Sequence, residues 1–595
     1  MSNQHSTQLA ETRSPLFAVI AVTLPFILLL LAELFLRQGN TYQQHQRLFT
    51  ETGPNNELQA VNPLYAKRYF NGFQPSVAFH PFPKAKDEQT LRFFVLGGSS
   101  AAGFPYQFGY SFSESASLYL QRSFPHKQIE VINLGMSAVN SYTIRDLANH
   151  LHAVQPDGIM VYAGHNELYG AMGSAGKSRF LNRHRLKLFQ LWLHNSAIHF
   201  YLTQNPATPT GIDTNQTLME QQFASHQIAA DDPLRAASAE AFEKNMRHTA
   251  DLAATLQIPL FVGTVISNLG SQPPLGAHPD ALLAYETAVE HKEDNRLEEA
   301  ADQFRRAREL DTVPFRAPAA INGVIRALSE DDHIHLIDVE NHFELNGAYN
   351  PAFDTLFTDH LHLTQAAYHH VGKLYATAIA EVLNGNSGPE LPDIPYQNDL
   401  LDDALATYQL QMLLSRPPFA PAGTRSFESR SEEALRQATS TLPETIRRQV
   451  YTNIQQGKPI SRAYFDLLAD PETTEAVGVT DRLRLHHGLM KWQPLNHTLI
   501  ERGGNVALQA TSQFALTEAY WLDAYTKTRD IRYLNILGSL YLLGDQLGPA
   551  EQYLLEVERN KPNDLAMLQN LSQLYIRKGD MEKATKYIER LQNLK

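Results

Sequence analysis

Five short apolar runs, at residues 93–96, 129–134, 158–163, 259–265 and 335–339, alternate with stretches of helical periodicity, and nothing else in the chain narrows its fold as much. Runs of this length joined by helix-length connections pair in parallel through crossovers, so the pattern predicts a parallel sheet wrapped by helices. The chain has 595 residues, too many for one core. A prior of ~150 residues per domain suggests about three or four units. The pattern divides it into a tail at 1–15, an apolar segment at 16–36, a connector at 37–90, the α/β domain at 91–388 and an α-helical domain at 389–595.

The connector is rich in Asn, Gln, Pro and aromatics without sustained periodicity, and is expected to lie extended on the next domain. Two insertions interrupt the α/β pattern. Residues 168–235 carry Arg179, Arg183, His184, Arg185 and Lys187, then Phe189, Trp192, His199, Phe200 and Tyr201, and read as a helical cap or lid. Residues 281–311 read as a helix pair with small side chains at the crossing.

In the helical tail, Leu534, Leu537, Tyr541, Ala550, Tyr553 and Leu554 recur 34 positions on as Leu568, Leu571, Tyr575, Ala584, Tyr587 and Ile588. This spacing, over residues 531–595, resembles the tetratricopeptide repeat, and Ala300, Phe304 and Ala307 resemble its second helix. Two repeats fall short of the usual three, so helices between 400 and 530 should complete the layer. The tail is either a docking surface for a protein partner or a buttress on the rest of the chain.

Residues 16–36 are long enough, at ~1.5 Å per residue, to span a ~30 Å hydrocarbon layer. They read as a single uncleaved membrane helix, with Pro25 as a tolerated kink and Glu33 near the interface. Arg13 precedes the span, while Arg37, Arg47, Lys67 and Arg68 follow it, which by charge alone leans towards an inside carboxyl side. Large domains cross largely regardless of charge, however. Lys and Arg total 50 against 63 Asp and Glu, a net charge of −13 without a basic stripe, which disfavours nucleic acid as a partner. The absence of cysteine removes thiol nucleophiles, disulfides and thiolate metal sites.

Directly after the first α/β run comes Gly97-Gly98-Ser99-Ser100, a turn of small residues at the carboxyl edge of the expected sheet, where a hydrolase places a nucleophile. Such a serine needs a base, an orienter for the base, and donors for an oxyanion. Asn133-Leu134-Gly135 closes the second run, Gly164-His165-Asn166-Glu167 the third, and Asp359-His360-Leu361-His362 comes late in the domain. With these four blocks in order, residues 91–385 resemble the SGNH, or GDSL-type, hydrolase family.

The resemblance implies a flavodoxin-like three-layer α/β/α domain. It makes Ser99 the nucleophile, His362 the general base and Asp359 its orienter, with oxyanion donors from the Ser99 and Gly135 N–H groups and the Asn166 side chain. The chemistry asks for no metal or cofactor. Two positions depart from the family pattern: Gly98 replaces the Asp of Gly-Asp-Ser, and Glu167 replaces the Asp more usual after Asn. Ser100 rivals Ser99, and His360 rivals His362. His165 could line the pocket or be a hydrogen-bonded loop histidine. The expected activity is a membrane-anchored, extracytoplasmic serine esterase acting on an O-acyl or O-acetyl ester of a small molecule, glycan or lipid. An O-acyltransferase on a cell-envelope glycan or lipid would use the same residues. The alternative of a different class is an inactive membrane-tethered scaffold.

Overall fold

The computed structural model describes residues 15–594 apart from 54, 71–74, 107–108, 174–182, 204–226, 345–348, 386–390, 392, 395–398, 421–425, 471 and 473–475. The tail at 1–14 with Arg13, Arg179 and much of the 168–235 insertion therefore lie outside the described residues.

The first described element is the apolar helix Pro15–Leu36. Its Val19–Leu36 window has a mean hydropathy of 2.6 and none of it is buried, so it is long and apolar enough to cross a membrane. The segment after it is more structured than its composition suggests. The strands β1 (Phe49–Thr52), β2 (Leu58–Val61) and β3 (Phe82–Pro83) form an antiparallel sheet in that order. This small sheet is fastened to the main domain through Phe82, whose ring meets Phe94 at 5.7 Å, and through Arg92, whose guanidinium donates to Pro83 O at 2.8 Å.

The main sheet contains β4 (Thr90–Gly97), β5 (Gln128–Asn133), β6 (Gly158–Tyr162), β7 (Leu260–Gly263) and β8 (Ile334–Ile337), ordered β5-β4-β6-β7-β8 and parallel throughout. Helices Phe112–Ser123 and Gln365–Leu383 pack together on one face. Helices Ser141–Ala148, Pro233–Thr255 and Ala319–Leu328 pack on the other, which gives the three layers expected. Strands covered on both faces need apolar side chains at nearly every position, which is why they read as continuous runs rather than alternating ones. The strand order reverses at β4, so the crevice between the carboxyl ends of β4 and β6 is the topological switch point where α/β folds bind ligands.

The helix pair Pro279–Glu293 and Leu297–Leu310 occupies the second insertion, meeting through Ala284, Ala288, Ala300 and Ala301. From Leu400 onward the described structure is helical. Its last four helices form two hairpins, Arg532–Leu543 with Leu547–Asn560 and Leu565–Lys578 with Met581–Asn593. In each hairpin the repeat tyrosines stack, Tyr541 on Tyr553 at 5.5 Å and Tyr575 on Tyr587 at 5.6 Å. The helical region shares one buried core with the α/β domain. Helix Phe514–Thr528 lies on Phe112–Ser123 and β5, where Lys527 pairs with Glu114 at 3.3 Å and Gln128 donates to Thr526 O at 2.9 Å.

Candidate active site

β4 ends at Gly97, Gly98 caps the short helix Ser99–Ala102, and Gly103 closes it at φ 89°, a left-handed conformation that a glycine adopts without strain. This turn lifts Ser99 to the switch point. Its Oγ lies 2.7 Å from Nε2 of His362, whose Nδ1 lies 2.6 Å from Oδ2 of Asp359.

The base segment is held by its own carboxylate. Oδ1 of Asp359 accepts the N–H groups of Leu361 at 2.9 Å and His362 at 2.8 Å, folding the chain back so that the imidazole rests on Oδ2. The Phe357–Leu363 bridge brackets this turn, and helix Gln365–Leu383 begins only afterwards, capped by Thr364. The Asp-x-x-His spacing therefore works through a side-chain-closed turn, not through the first turn of a helix. Asn268, in the loop after β7, pins the turn, donating its side chain to Asp359 O at 3.1 Å and its N–H to His360 O at 2.9 Å. The Phe104 ring covers His362 at 4.5 Å. Burial would raise the Asp359 pKa, but the charges of His362 and His360 and the hydrogen bond from His362 hold it well below the ordinary carboxylate range.

The rivals fall elsewhere. Ser100 Oγ is buried and has no hydrogen-bond partner among the described residues. His360 is fully buried against Phe419, ring centroids 4.8 Å apart. Burial pushes the His165 pKa down to about 3, with the charges of His360 and His362 adding to the effect, and its Nδ1 accepts the Ala317 N–H at 3.1 Å. A histidine so held is neutral at physiological pH and serves as a loop acceptor.

Around Ser99 the donors are only partly those expected. The Ser99 N–H is at the start of its helix, where no intrahelical acceptor exists. Asn166 donates one Nδ2 proton to Val139 O at 3.0 Å, and Nδ2 sits 2.7 Å from the point a Cβ on Gly98 would occupy. Gly135 is the correction: its N–H is committed to Asn133 Oδ1 at 2.7 Å. The loop that meets Gly98 and Asn166 through Val139 O also contains Ala138, at φ 62°, whose N–H takes part in no hydrogen bond among the described residues. The sequence carries no cue for it, because left-handed positions are usually signalled by Gly or Asn and this one is Ala.

Gly98 and Glu167 each have a physical counterpart in the site. With Asn166 against Gly98, a side chain at position 98 would have to displace the Asn166 amide. Glu167 has the reach to accept both the N–H and Oγ of Ser141, at 2.8 and 2.7 Å, tying the loop after β6 to the helix after β5. Burial pushes Glu167 up to about 7, against the hydrogen bonds from Ser141 and the charge of Lys187.

Asp359, His360 and His362 are also close enough together to suggest a metal site. The 2.6 Å between Asp359 Oδ2 and His362 Nδ1 fits a shared proton and is shorter than the ~3.3 Å between two tetrahedral zinc ligands.

A parallel α/β sheet with a serine, histidine and aspartate hydrogen-bonded in series at its switch point defines the structural class. No family model matches the chain, and no curated protein sequence matches it. Among solved structures the chain is similar to a GDSL-like lipase from Bacteroides thetaiotaomicron, at 11% identity over 51% of this chain and 93% of that one, with a TM-score of 0.26. It is also similar to an acetyl xylan esterase, at 14% identity over 49% of this chain and 100% of that one, TM-score 0.25. An α/β hydrolase enzyme from the metagenome of Lake Arreo, Spain, gives 13% identity over 51% and 99%, TM-score 0.25. Scores this low carry no argument about chemistry.

Proposed function

We propose that this chain is a membrane-anchored serine hydrolase of the SGNH type that cleaves an O-acyl or O-acetyl ester through an acyl-enzyme on Ser99. The observation that carries the reading is the continuous series Ser99 Oγ, His362 Nε2, His362 Nδ1, Asp359 Oδ2, with hydrogen-bond lengths of 2.7 and 2.6 Å.

His362 takes the Oγ proton as Ser99 attacks the ester carbonyl carbon. The tetrahedral oxyanion is met by the Ser99 N–H, the free Asn166 Nδ2 proton and, in place of Gly135, the Ala138 N–H. Collapse breaks the bond to the alcohol oxygen, which leaves with the proton from His362. Water, deprotonated by the same imidazole, then releases the acid and restores Ser99. Asp359 stays ionised throughout, fixing the tautomer with hydrogen on Nδ1 and stabilising the imidazolium. The Val19–Leu36 helix is the anchor and the α/β domain faces an extracytoplasmic surface, where esters of envelope glycans and lipids are the substrate class. An inactive scaffold would have no physical use for so complete a set of aligned groups.

The test is to treat the purified full chain with a fluorophosphonate probe and a chromogenic short-chain ester. Ser99→Ala should abolish labelling and turnover while Ser100→Ala retains both. Labelling that survives Ser99→Ala would overturn the assignment.

A further inference from the structure

Beside the apolar helix, away from Ser99, lies a cavity of about 170 Å³, with space on the order of ten waters. Its walls come from the segment following the apolar helix, through His45 and Arg68, and from the helical hairpin His184–Leu193 and Ala197–Thr203, through Gln190, His194, His199 and Phe200. We propose that this cavity binds the phosphate group of an anionic membrane lipid. The proposal rests on reading Val19–Leu36 as a membrane span and is independent of the chemistry at Ser99.

The first argument is the state of Arg68. Its side chain is 7% exposed. Nη2 donates to Gln46 Oε1 at 2.9 Å and Asn195 Oδ1 at 2.6 Å, while Nε and Nη1 have no hydrogen-bond partner among the described residues. The nearest carboxylate, Asp146, is 3.8 Å from Nη1 and already accepts the hydroxyls of Tyr65 and Tyr69 at 2.9 and 2.6 Å. Burying a guanidinium with three of its five donors idle is costly unless an anion completes it, and phosphate oxygens match its fork. Nδ1 of His194, on the hairpin wall, is likewise buried without a hydrogen-bond partner among the described residues.

The second argument is position. Glu33, one turn before the end of the apolar helix, accepts Ser196 Oγ and the N–H groups of Ala197 and Ile198 at 2.8, 2.8 and 3.0 Å, which bolts the hairpin to the helix. Arg37 and Tyr42 both donate to Asn195 O, at 3.1 and 2.5 Å. The cavity therefore sits just beyond the apolar helix, at headgroup height. The same hairpin exposes Phe189, Trp192 and Leu202 at 52%, 61% and 72%, an aromatic and aliphatic surface suited to the interface, with Phe189 stacked on Trp192 at 5.5 Å. Phe200 gives the cavity an apolar wall for the glycerol end of the same lipid.

The full chain, purified in detergent and stripped of lipid, should retain one phosphatidylglycerol in native mass spectrometry and no uncharged galactosyl diacylglycerol. Arg68→Gln should lower the retained fraction tenfold or more. Because Arg68 also supports the fold, Gln190→Glu is the second variant: it leaves every Arg68 contact in place, puts a like charge in the cavity and should lower retention similarly. Equal retention of the two lipids, or retention unchanged by Gln190→Glu, would overturn the proposal, as would release of the lipid by millimolar inorganic phosphate, which would mark a soluble-anion site. Alkaline extraction of membranes reports separately on the span, so failure of the anchor is distinguishable from failure of the cavity.

Discussion

Gly98→Ala is the smallest change that tests how the site is assembled. A Cβ at this position would lie 2.7 Å from Asn166 Nδ2 and 3.5 Å from Val139 O. Ordinary contact between such atoms begins near ~3.5 Å, so the amide must retreat by about 0.8 Å. Preorganised donors tolerate only about 0.5 Å of displacement before their contribution collapses. Loss of one oxyanion donor costs ~10²–10³ in kcat, about 3–4 kcal/mol of transition-state stabilisation. The expected result is a fall of that size in the steady-state hydrolysis of a chromogenic ester, with the fluorophosphonate site and the far-ultraviolet circular dichroism retained. Asn166→Ala should cost the same. The double variant should be no worse than Asn166→Ala alone, because both act on one amide. Multiplying losses, or an unchanged kcat in Gly98→Ala, would refute the reasoning. Gly98→Asp should fail for the same steric cause.

Two further outcomes follow from the buried ionisable groups. Asp359→Asn keeps the shape of the turn but offers the wrong partner to His362 Nδ1, and a drop in kcat of about 10⁴ is expected in the same assay. An effect under tenfold would remove Asp359 from its assigned role. His165 has a folded pKa of about 3, against ~6.5 in the unfolded chain. Between these values the unfolded state binds a proton that the native state refuses, so this group's contribution to stability falls as pH falls through that window. His165→Asn keeps an acceptor for the Ala317 N–H and removes the titration. Denaturant melts between about pH 4 and 6 should therefore show a pH slope reduced by up to one proton, about 1.4 kcal/mol per pH unit. An unchanged slope would show that His165 titrates normally.

The main sheet was legible because its strands, covered on both faces, leave unbroken apolar runs such as those of β4 and β6. The serine turn and the Asp-x-x-His segment were legible because each is a short local pattern at an element edge. What escaped depends on partners distant in the chain. The strands β1 to β3 run two to four residues and owe their existence to Phe82 and Phe94, so no local periodicity announces them. Gly135 drew attention as a glycine, yet its amide is turned inward by Asn133. Ala138 holds the left-handed position with a residue type that gives no warning. The role of Glu33 as a helix cap is likewise invisible, since its partners at 196–198 lie more than 160 positions away.

The helical region belongs to the physical unit that positions the site. Phe419 packs on His360, whose Nδ1 lies 3.4 Å from Asp359 Oδ1, so this region borders the turn that orients His362. At the opposite side of the sheet, Glu114 is buried between His80 at 2.8 Å and Lys527 at 3.3 Å. Asp399, also buried, accepts the hydroxyls of Tyr110 and Tyr464, both at 2.7 Å. Breaking one buried ion pair costs about 3–5 kcal/mol, against a total domain stability of about 5–15 kcal/mol. An α/β domain stripped of these helices would lose the Glu114–Lys527 pair and expose the shared core together. The buttress reading of the tail thus has an energetic basis in these contacts that a detachable scaffold lacks.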